Sequence, residues 1–430
     1  MSFTRRNILQ MVPAAAAMSL TPGGLAADTH HVVVVGGGFA GSTVAKYLRM
    51  WSKGSIAVTL VEPGREHISC IMSNLVLNEQ LKLANLSFDY AALQSKYGVN
   101  IVQGRAQYIN GVDKTLELEG AHIIRYDSLV VATGIKFDAI PGLDSEKTPH
   151  AWIAGRQTNL LRDQIRAMPD NGTFVMTIPE KPYRCPPGPY ERACLVADIL
   201  GRRSGALEGT VSPGDTPRVV VLDANDGIQA EKHTFERAFN GLYGDIVEYI
   251  PNAPVESVDS DIREVTTSRG TWRGDVLNVI PRHGAPQLLV DSEITGTSRW
   301  APVNPVTYGV LTAGFPGVHV IGDAQGTGQP KSGHMANAQA KVCADAIVRI
   351  AAGLSAETDE RLNNITTNSA CFSPITSDEA SWLTAVFKCN RGTGNMGLVP
   401  GSLGESHNWN SENYKDMFAW SENLFADTFK

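Results

Sequence analysis

The chain has 430 residues, with 37 Lys and Arg against 44 Asp and Glu, and a formal net charge of −7. Because 43% of its residues are hydrophobic and 19% are charged, it suits two or three globular domains and not a disordered chain. The acidic balance, with no run rich in Lys or Arg, argues against a nucleic-acid-binding protein. After residue 30 no stretch of 18 residues is continuously apolar, so the sequence predicts no membrane-spanning helix.

Residues 1–27 have the organisation of an export signal. Arg5 and Arg6 precede an apolar, Ala-rich run over 8–20, and small residues that suit cleavage follow it. Paired arginines are typical of the twin-arginine route. We therefore expect a periplasmic protein that is exported folded, with its cofactor, into a compartment that permits disulfides.

A glycine-rich turn follows the first strand-like run. The β-branched residues His31–Val35 lead into Gly36-Gly37-Gly38-Phe39-Ala40-Gly41, and a helical pattern comes next. In G-x-G-x-x-G the first glycine allows the tight turn, the second admits a pyrophosphate, and the third lets helix and strand pack closely. A second strand ends in Glu62, where an acid that binds ribose hydroxyls is expected. This pattern predicts a site for FAD or NAD at Gly36, Gly38, Phe39, Ala40, Gly41 and Glu62.

Two later strands favour FAD over NAD. One closes in Ala132-Thr133-Gly134 and the other in Gly322-Asp323. With the first turn, they resemble the FAD domain of the flavoproteins with two dinucleotide domains, the disulfide-reductase-like superfamily. The resemblance implies that Asp323 binds the ribityl chain and that the backbone of Ala106 meets the adenine. It also implies binding roles for Thr133, Gly134 and Gly322, and a helix after Gly333 whose positive end faces the flavin.

A second nucleotide domain is predicted between these segments. Thr173–Ile178 and Arg218–Asp223 have the pattern of its first two strands. The turn between them contains Pro186, Pro187 and Pro189 where an NAD site needs backbone N–H donors, which proline lacks. We expect that the fold is retained and that the NAD site is lost.

The same turn supplies a reactive group. Cys185 stands ahead of a helix expected to begin near Tyr190, and a helix N-terminus lowers the pKa of a thiol. Glu191 falls in the first helical turn, where it could move a proton or only complement the helix dipole.

The run from Cys185 to Arg192 and the run Ser69-Cys70-Ile71-Met72-Ser73-Asn74 resemble the flavoprotein subunit of flavocytochrome c sulfide dehydrogenases. The resemblance covers nearly the whole mature chain. It implies that Cys70 carries FAD covalently through the 8α-methyl group, and that Cys185 and Cys371 form a redox-active disulfide. It implies that Glu191 is the active-site acid. After Pro-Lys-Ser-Gly the family has an aromatic residue, whereas this chain has His334 and Met335.

The implied reaction is oxidation of hydrosulfide to sulfur or polysulfide, with Cys371 nearer to the flavin than Cys185. Electrons would leave to a separate c-type cytochrome subunit, mono- or dihaem, because this chain has no C-x-x-C-H motif. There are two alternatives to these roles. Cys70 would be a buried free thiol, and the Cys185–Cys371 disulfide would be a structural staple. Rival functions are a membrane-surface sulfide:quinone reductase, a non-catalytic flavoprotein helper of sulfur oxidation, and pyridine-nucleotide oxidation.

Three further cysteines have no role in the resemblance. Cys194 and Cys343 lie in helical patterns among apolar residues and are expected to be buried thiols, and the pairing of Cys389 is open. The cysteine spacings predict no metal site. In the C-terminal region, acidic residues accompany the apolar pattern, so we expect docking onto the body or onto a partner and not onto an anionic membrane.

The sequence thus predicts an α/β protein with two Rossmann-like dinucleotide-binding domains of the disulfide-reductase type and a C-terminal interface region. The expected boundaries are a signal at 1–27, an FAD-binding domain at 29–146 and 272–355, a second, NAD-like domain at 147–271, and a C-terminal flavocytochrome-type region at 356–430.

Overall fold

The first domain is built on a five-stranded parallel sheet. The computed structural model describes residues 29–212, 214–390 and 392–430, so the expected export signal lies outside the described residues. The sheet has the strand order Val318–Val320, Ser128–Val131, His31–Val35, Ala57–Glu62, Asn100–Gln103. The first-domain helix, Phe39–Trp51, packs against the return helix, Gly333–Ala351. Because the chain returns to this sheet for its last strand, residues far apart in sequence meet at its carboxyl edge.

The second domain has a four-stranded parallel sheet. Its strand order is Val247–Ile250, Arg218–Asp223, Thr173–Ile178, Val276–Val279. Since Val276–Val279 pairs with Thr173–Ile178, this domain continues past the boundary expected at 271. Before Val276–Val279 the chain forms an antiparallel meander of Val255–Asp259, Glu264–Thr267 and Gly270–Arg273. Because this meander separates the last strand from the rest of the parallel sheet, the sequence pattern did not show where the domain ends.

The second-domain helix, Gly188–Ser204, begins two residues before the expected start near Tyr190. Pro189 lies inside its first turn. A proline is tolerated there because the first-turn N–H groups have no partner within the helix. The helix therefore begins within the proline-containing segment, slightly earlier than expected.

The C-terminal region forms an antiparallel sheet and a long helix. Thr366–Pro374 pairs with Ala380–Asn390, which also pairs with Asn395–Leu398 and Gly404–Glu405. The C-terminal helix, Ser411–Phe429, follows. The remaining helices are Ala91–Tyr97, Arg156–Ala167, Lys232–Arg237, Gln287–Asp291 and Asp359–Asn364, and the remaining strands are Glu66–Ile68, Ser87–Asp89, Ala106–Asn110, Thr115–Leu118, His122–Arg125, Lys136–Phe137 and His283–Gly284.

The C-terminal helix docks on the body of the protein. Its Phe425 and Phe429 rings lie 6.1 and 5.4 Å from the ring of Phe39. The buried ammonium of Lys46 donates to the carbonyl oxygens of Ala426, Asp427 and Lys430 at 3.3, 2.8 and 2.9 Å. A cation at this end satisfies carbonyl groups that have no partner within the helix. Among the described residues, no helix is long and apolar enough to cross a membrane.

We predict that Lys46→Met releases the C-terminal helix locally. Loss of the charged donor costs about 1 to 3 kcal/mol, which corresponds to about 5- to 150-fold faster cleavage within 411–429 when opening is fast. Limited proteolysis with mass-spectrometric mapping measures this rate. Lys415→Met, at an exposed lysine of the same helix, is the matched control. Equal cleavage rates in the two variants would contradict the role of Lys46.

Candidate active site

A cavity lies where the two domains meet the C-terminal region. All three parts of the chain line it, with Cys70 from the first domain, Cys185 and Glu191 from the second, and Cys371 from the C-terminal region. Seven of the residues expected to hold the cofactor also line it: Gly38, Phe39, Ala40, Cys70, Gly134, Gly322 and Asp323. The other expected residues, Gly36, Gly41, Glu62, Ala106 and Thr133, are not part of this lining.

The glycine-rich turn has the geometry that a dinucleotide needs. Gly36 has a φ of +99°, which disfavours other residues, and a Cβ at Gly41 would lie 1.7 Å from the carbonyl oxygen of Gly36. Both positions therefore require glycine for the close strand–helix turn. The carboxylate of Glu62 accepts hydrogen bonds from the N–H groups of Gly37 and Gly64 at 2.7 and 2.9 Å. These bonds hold the acid beside the turn, as a ribose site requires.

The segment expected to meet the adenine lies next to this acid. The N–H of Gly104 donates to the carbonyl oxygen of Glu62 at 3.2 Å, two residues before Ala106. Thr133 Oγ1 is buried without a hydrogen-bond partner, which suits a position that meets a polar ligand. Gly322, with a φ of +72°, donates its N–H to Gln339 at 2.8 Å. The residues present thus fit a dinucleotide with a polar chain at Asp323.

Arg184, which the sequence analysis missed, joins two of the expected residues. Its Nε lies 2.6 Å from Asp323 Oδ2, and its Nη1 donates to Cys70 Sγ at 3.6 Å. The only signal in the sequence was an arginine directly before Cys185. The proline-filled turn brings Arg184 of the second domain to Asp323 of the first domain. The spacing of residues in the sequence therefore could not reveal this ion pair.

The structure contradicts the expected effect of the helix on Cys185. Cys185 has a φ of +55°, and its N–H donates to the carbonyl oxygen of Lys331 at 2.7 Å. Burial raises the pKa of this thiol well above its ordinary value, the charges of Cys371 and Glu191 raise it further, and the Gly188 N–H opposes them. For this thiol the effect of burial on the pKa is larger than the effect of the helix N-terminus. The expected lowering of the Cys185 pKa is therefore wrong.

Cys371 lies close enough to Cys185 for their charges to interact. Burial is the largest cause that raises the pKa of Cys371 to about 12, and the charge of Glu231 adds to it. Both cysteines are present as thiols in this structure. A Cβ at Gly188 would lie 2.9 Å from Cys185 Sγ, so this glycine provides the space for the sulfur.

Glu191 is a buried acid held by an amide. Asn74 Nδ2 donates to Glu191 Oε1 at 2.8 Å, and Arg192 Nε fixes that amide by donating to Asn74 Oδ1 at 3.0 Å. Burial raises the pKa of Glu191 to about 8, while the hydrogen bond from Asn74 lowers it. An acid with a pKa near neutrality can both give and take a proton at the sulfurs. Asn74 and Arg192 were visible only as members of the two resemblance motifs.

The return helix points its N-terminus at the cavity, as expected. Ser332 caps it by accepting the N–H of Met335 at 3.1 Å, and Ser332, Gly333 and His334 line the cavity. The ammonium of Lys331 donates to the carbonyl oxygens of Asp323 and Gln325 at 2.7 and 2.8 Å. Lys331 thereby holds the Gly-Asp loop against the start of this helix.

The C-terminal helix contributes Met417 and Trp420 to the cavity lining, which the sequence analysis did not foresee. The Trp420 ring lies 6.0 Å from the His334 ring and 5.5 Å from the Phe372 ring. Trp420 therefore supplies an aromatic side chain beside His334, where the family pattern has its own aromatic residue. The amphipathic pattern of this helix indicated a buried face, but it could not indicate which cavity that face meets.

The remaining cysteines lie away from this lining. Cys194 and Cys343 are fully buried in the second-domain helix and the return helix, as expected, and Cys389 lies on Ala380–Asn390. Within the described ranges no group of His, Cys, Asp and Glu side chains could hold a metal ion.

The fold and the cavity define an FAD-binding oxidoreductase of the pyridine nucleotide-disulphide oxidoreductase class, whose family model matches residues 30–165. A second model, "Sulfide dehydrogenase [flavocytochrome c] flavoprotein chain, central", matches residues 158–281. The chain is 56% identical over 48 residues to the flavoprotein chain of sulfide dehydrogenase [flavocytochrome c] of Chlorobaculum thiosulfatiphilum. Those residues are 11% of this chain and 98% of the relative's sequence.

Two further similarities concern sulfide:quinone oxidoreductases. The mitochondrial protein of Mus musculus is 22% identical over 304 residues, which cover 69% of this chain and 66% of the relative. The solved structure of the Aquifex aeolicus protein has a TM-score of 0.74 at 16% identity, covering 93% of this chain and 92% of the other. The chain belongs to the sulfide-oxidising flavoprotein family that includes the flavocytochrome c flavoprotein chain.

We predict that Glu191→Gln raises stability at alkaline pH. The folded-state pKa of Glu191 is raised from 4.5 to about 8, so the native state loses stability as the pH rises between these values. Glutamine keeps an oxygen for Asn74 and cannot ionise. The gain is absent below about pH 4.5, grows with pH, and reaches at most about 5 kcal/mol above pH 8. Thermal melts from pH 4 to 9 measure it, and a gain that is constant with pH would contradict the raised pKa.

Proposed function

We propose that this chain oxidises hydrosulfide to sulfur or polysulfide through a redox disulfide between Cys185 and Cys371. The observation that carries the proposal is that these two sulfurs, from separate parts of the chain, face one cavity together with the buried acid Glu191. A structural staple needs no acid with a pKa near neutrality beside it, whereas thiol–disulfide exchange with a protonated substrate does.

In the proposed reaction, hydrosulfide attacks one sulfur of the disulfide. The S–S bond breaks, a persulfide forms on the attacked cysteine, and the other cysteine leaves as a thiolate. The exchange conserves electrons, and Glu191 holds the proton that the hydrosulfide carried. We place Cys371 on the flavin side because its strand lies against the return helix. There the N–H of Ala370 donates to His334 Nδ1 at 3.0 Å.

FAD would supply a two-electron acceptor that can release electrons singly. The residues proposed to hold it are the glycine-rich turn, Glu62, Ala106, Thr133–Gly134 and Gly322–Asp323, with Cys70 as the covalent attachment point. Arg184 supports the assignment of Cys70, because its guanidinium contacts both Cys70 Sγ and Asp323.

The proposed electron acceptor is a c-type cytochrome subunit in the periplasm, reached after export through the twin-arginine route. The similarity to the flavoprotein chain of flavocytochrome c supports a cytochrome as the acceptor, since that relative is named as part of a flavocytochrome. A quinone is the alternative acceptor, favoured by the similarity to sulfide:quinone oxidoreductases. A non-catalytic flavoprotein helper would bind flavin without its reduction by sulfide.

We predict that one equivalent of sulfide bleaches the flavin absorbance of the anaerobic holoprotein. Cys185→Ser and Cys371→Ser each lower the rate at least 100-fold, because neither can form the disulfide. Cys389→Ser, outside the cavity lining, is the matched control. Reoxidation of the reduced protein by a c-type cytochrome, compared with a soluble quinone analogue, identifies the acceptor. Flavin that stays oxidised in excess sulfide would favour the helper function and refute the enzyme.

We predict that Cys70→Ala makes the flavin extractable. Acid precipitation of the wild-type protein should leave flavin in the pellet, where a denaturing gel detects its fluorescence, because a thioether survives acid. In Cys70→Ala the flavin should pass into the supernatant, while Cys343→Ala should behave as the wild type. Covalent flavin in Cys70→Ala would show that another residue is the attachment point.

A further inference from the structure

A second buried acid, Glu231, lies behind the cavity wall and has no place in the reaction described so far. Its side chain is fully buried. Its Oε1 accepts a hydrogen bond from the Ser373 hydroxyl at 2.6 Å, and its Oε2 has no hydrogen-bond partner. Its backbone is left-handed, with a φ of +49°, which is uncommon outside glycine. A half-satisfied buried carboxyl is costly, and such groups concentrate at functional sites.

The position of Ser373 connects this carboxyl to the sulfurs. Ser373 lies two residues after Cys371 on the strand Thr366–Pro374, so the two side chains project from the same face. The charge of Glu231 acts on Cys371 and also on Glu191. Glu231 thus does not line the cavity but lies within electrostatic reach of Cys371 and of the proposed active-site acid.

A second serine hydroxyl, that of Ser381, also lies beside the carboxyl of Glu231. Ser381 pairs with Ser373 across the hairpin, and its hydroxyl lies 3.4 Å from that of Thr234 in the helix that follows Glu231. The exposed Glu405, on the next short strand, is the outermost charge that acts on Glu231. Glu231 therefore lies between the Ser373 hydroxyl on the strand of Cys371 and a second hydroxyl at Ser381, with an exposed acid within electrostatic reach.

The proposed reaction requires such an outlet. Oxidation of one hydrosulfide ion to the level of elemental sulfur releases one proton and two electrons. The electrons pass to FAD and then to the one-electron acceptor, so the proton must leave separately. We propose that Glu231 is the proton relay of this site, accepting the proton from the side of Glu191 and Cys371 through the Ser373 hydroxyl and releasing it on the side of Ser381 and Glu405. This inference rests on the proposed function.

The ionisation of Glu231 suits this role. Burial is the largest cause that raises its pKa to about 7, the charge of Glu405 raises it further, and the hydroxyls of Ser373 and Ser381 lower it. The other titratable groups on which it acts are Glu191, Cys371 and the buried Cys194 of the second-domain helix. A relay needs a group that is partly protonated at neutral pH, and burial brings Glu231 into that range.

The test uses Glu231→Gln in the purified holoprotein. Anaerobic stopped-flow measures the rate of flavin reduction by sulfide from pH 6 to 9, and an indicator dye measures proton release in each turnover with the electron acceptor. We expect a 10- to 100-fold slower reduction at pH 8, loss of the ionisation near pH 7 from the rate profile, and proton release that lags behind electron transfer. Glu236→Gln, at a half-exposed acid of the helix that follows Glu231, should leave all three unchanged.

Two outcomes overturn the inference without touching the proposed function. One is a Glu231→Gln protein that keeps the wild-type rate profile and proton release. If Glu231→Gln does not fold or does not retain FAD, Ser373→Ala provides the second test. This variant keeps the acid and removes only its link to the strand, and unchanged proton release in it refutes the relay. If sulfide does not reduce the flavin of the wild-type protein, the proposed function itself is refuted.

Discussion

The buried guanidinium of Arg192 is the interaction on which the rest of the site depends. It is 1% exposed and stacks on Trp152 at 4.8 Å from the ring centre. It donates to Asn74 Oδ1 at 3.0 Å, Asn278 Oδ1 at 3.0 Å and the carbonyl oxygen of Ala151 at 2.6 Å. One side chain thereby ties the cofactor-side segment around Cys70 to the second-domain helix that carries Glu191. Without this tie, Glu191 and Cys70, the proposed attachment point, would lose the side chain that links their segments.

Burial at this junction disfavours the ionised form of several side chains. The pKa of Glu191 and that of Glu231 are both raised toward neutrality by burial, and the charge of Glu231 raises the pKa of Glu191 further. The thiol pKa values of Cys185 and Cys371 are raised for the same reason. Two buried acids near two sulfurs destabilise the native state at high pH, which is the opposite of what a purely structural core would favour. A site that must move protons at neutral pH needs groups in this range.

The sequence predicted the first domain closely because its signals are local. The turn from Gly36 to Gly41 depends on backbone geometry that only glycine provides, and strand, turn, helix and acid follow one another within 32 residues, from His31 to Glu62. The helix after Ser332 was likewise visible, and it begins at Gly333. Fold class could therefore be derived from motifs in their order along the chain.

Features that depend on contacts between distant segments could not be derived in this way. The pairing of Val276–Val279 with Thr173–Ile178 moved the domain boundary, and Trp420 reached the cavity only because the C-terminal helix docks on the first-domain helix. The direction of the Cys185 pKa was wrong because a sequence shows a helix terminus but does not show burial. Arg184 and Glu231 were missed for the same reason, since each acquires its partner from more than 100 residues away.

The central claim is that Cys185 and Cys371 form one redox disulfide beside the flavin. A crystal structure of the air-oxidised holoprotein tests it most directly. The account predicts continuous density between the two sulfur atoms at about 2.05 Å, and loss of that bond after an anaerobic soak with sulfide. Two separate thiols in an air-oxidised protein that still oxidises sulfide would contradict the account.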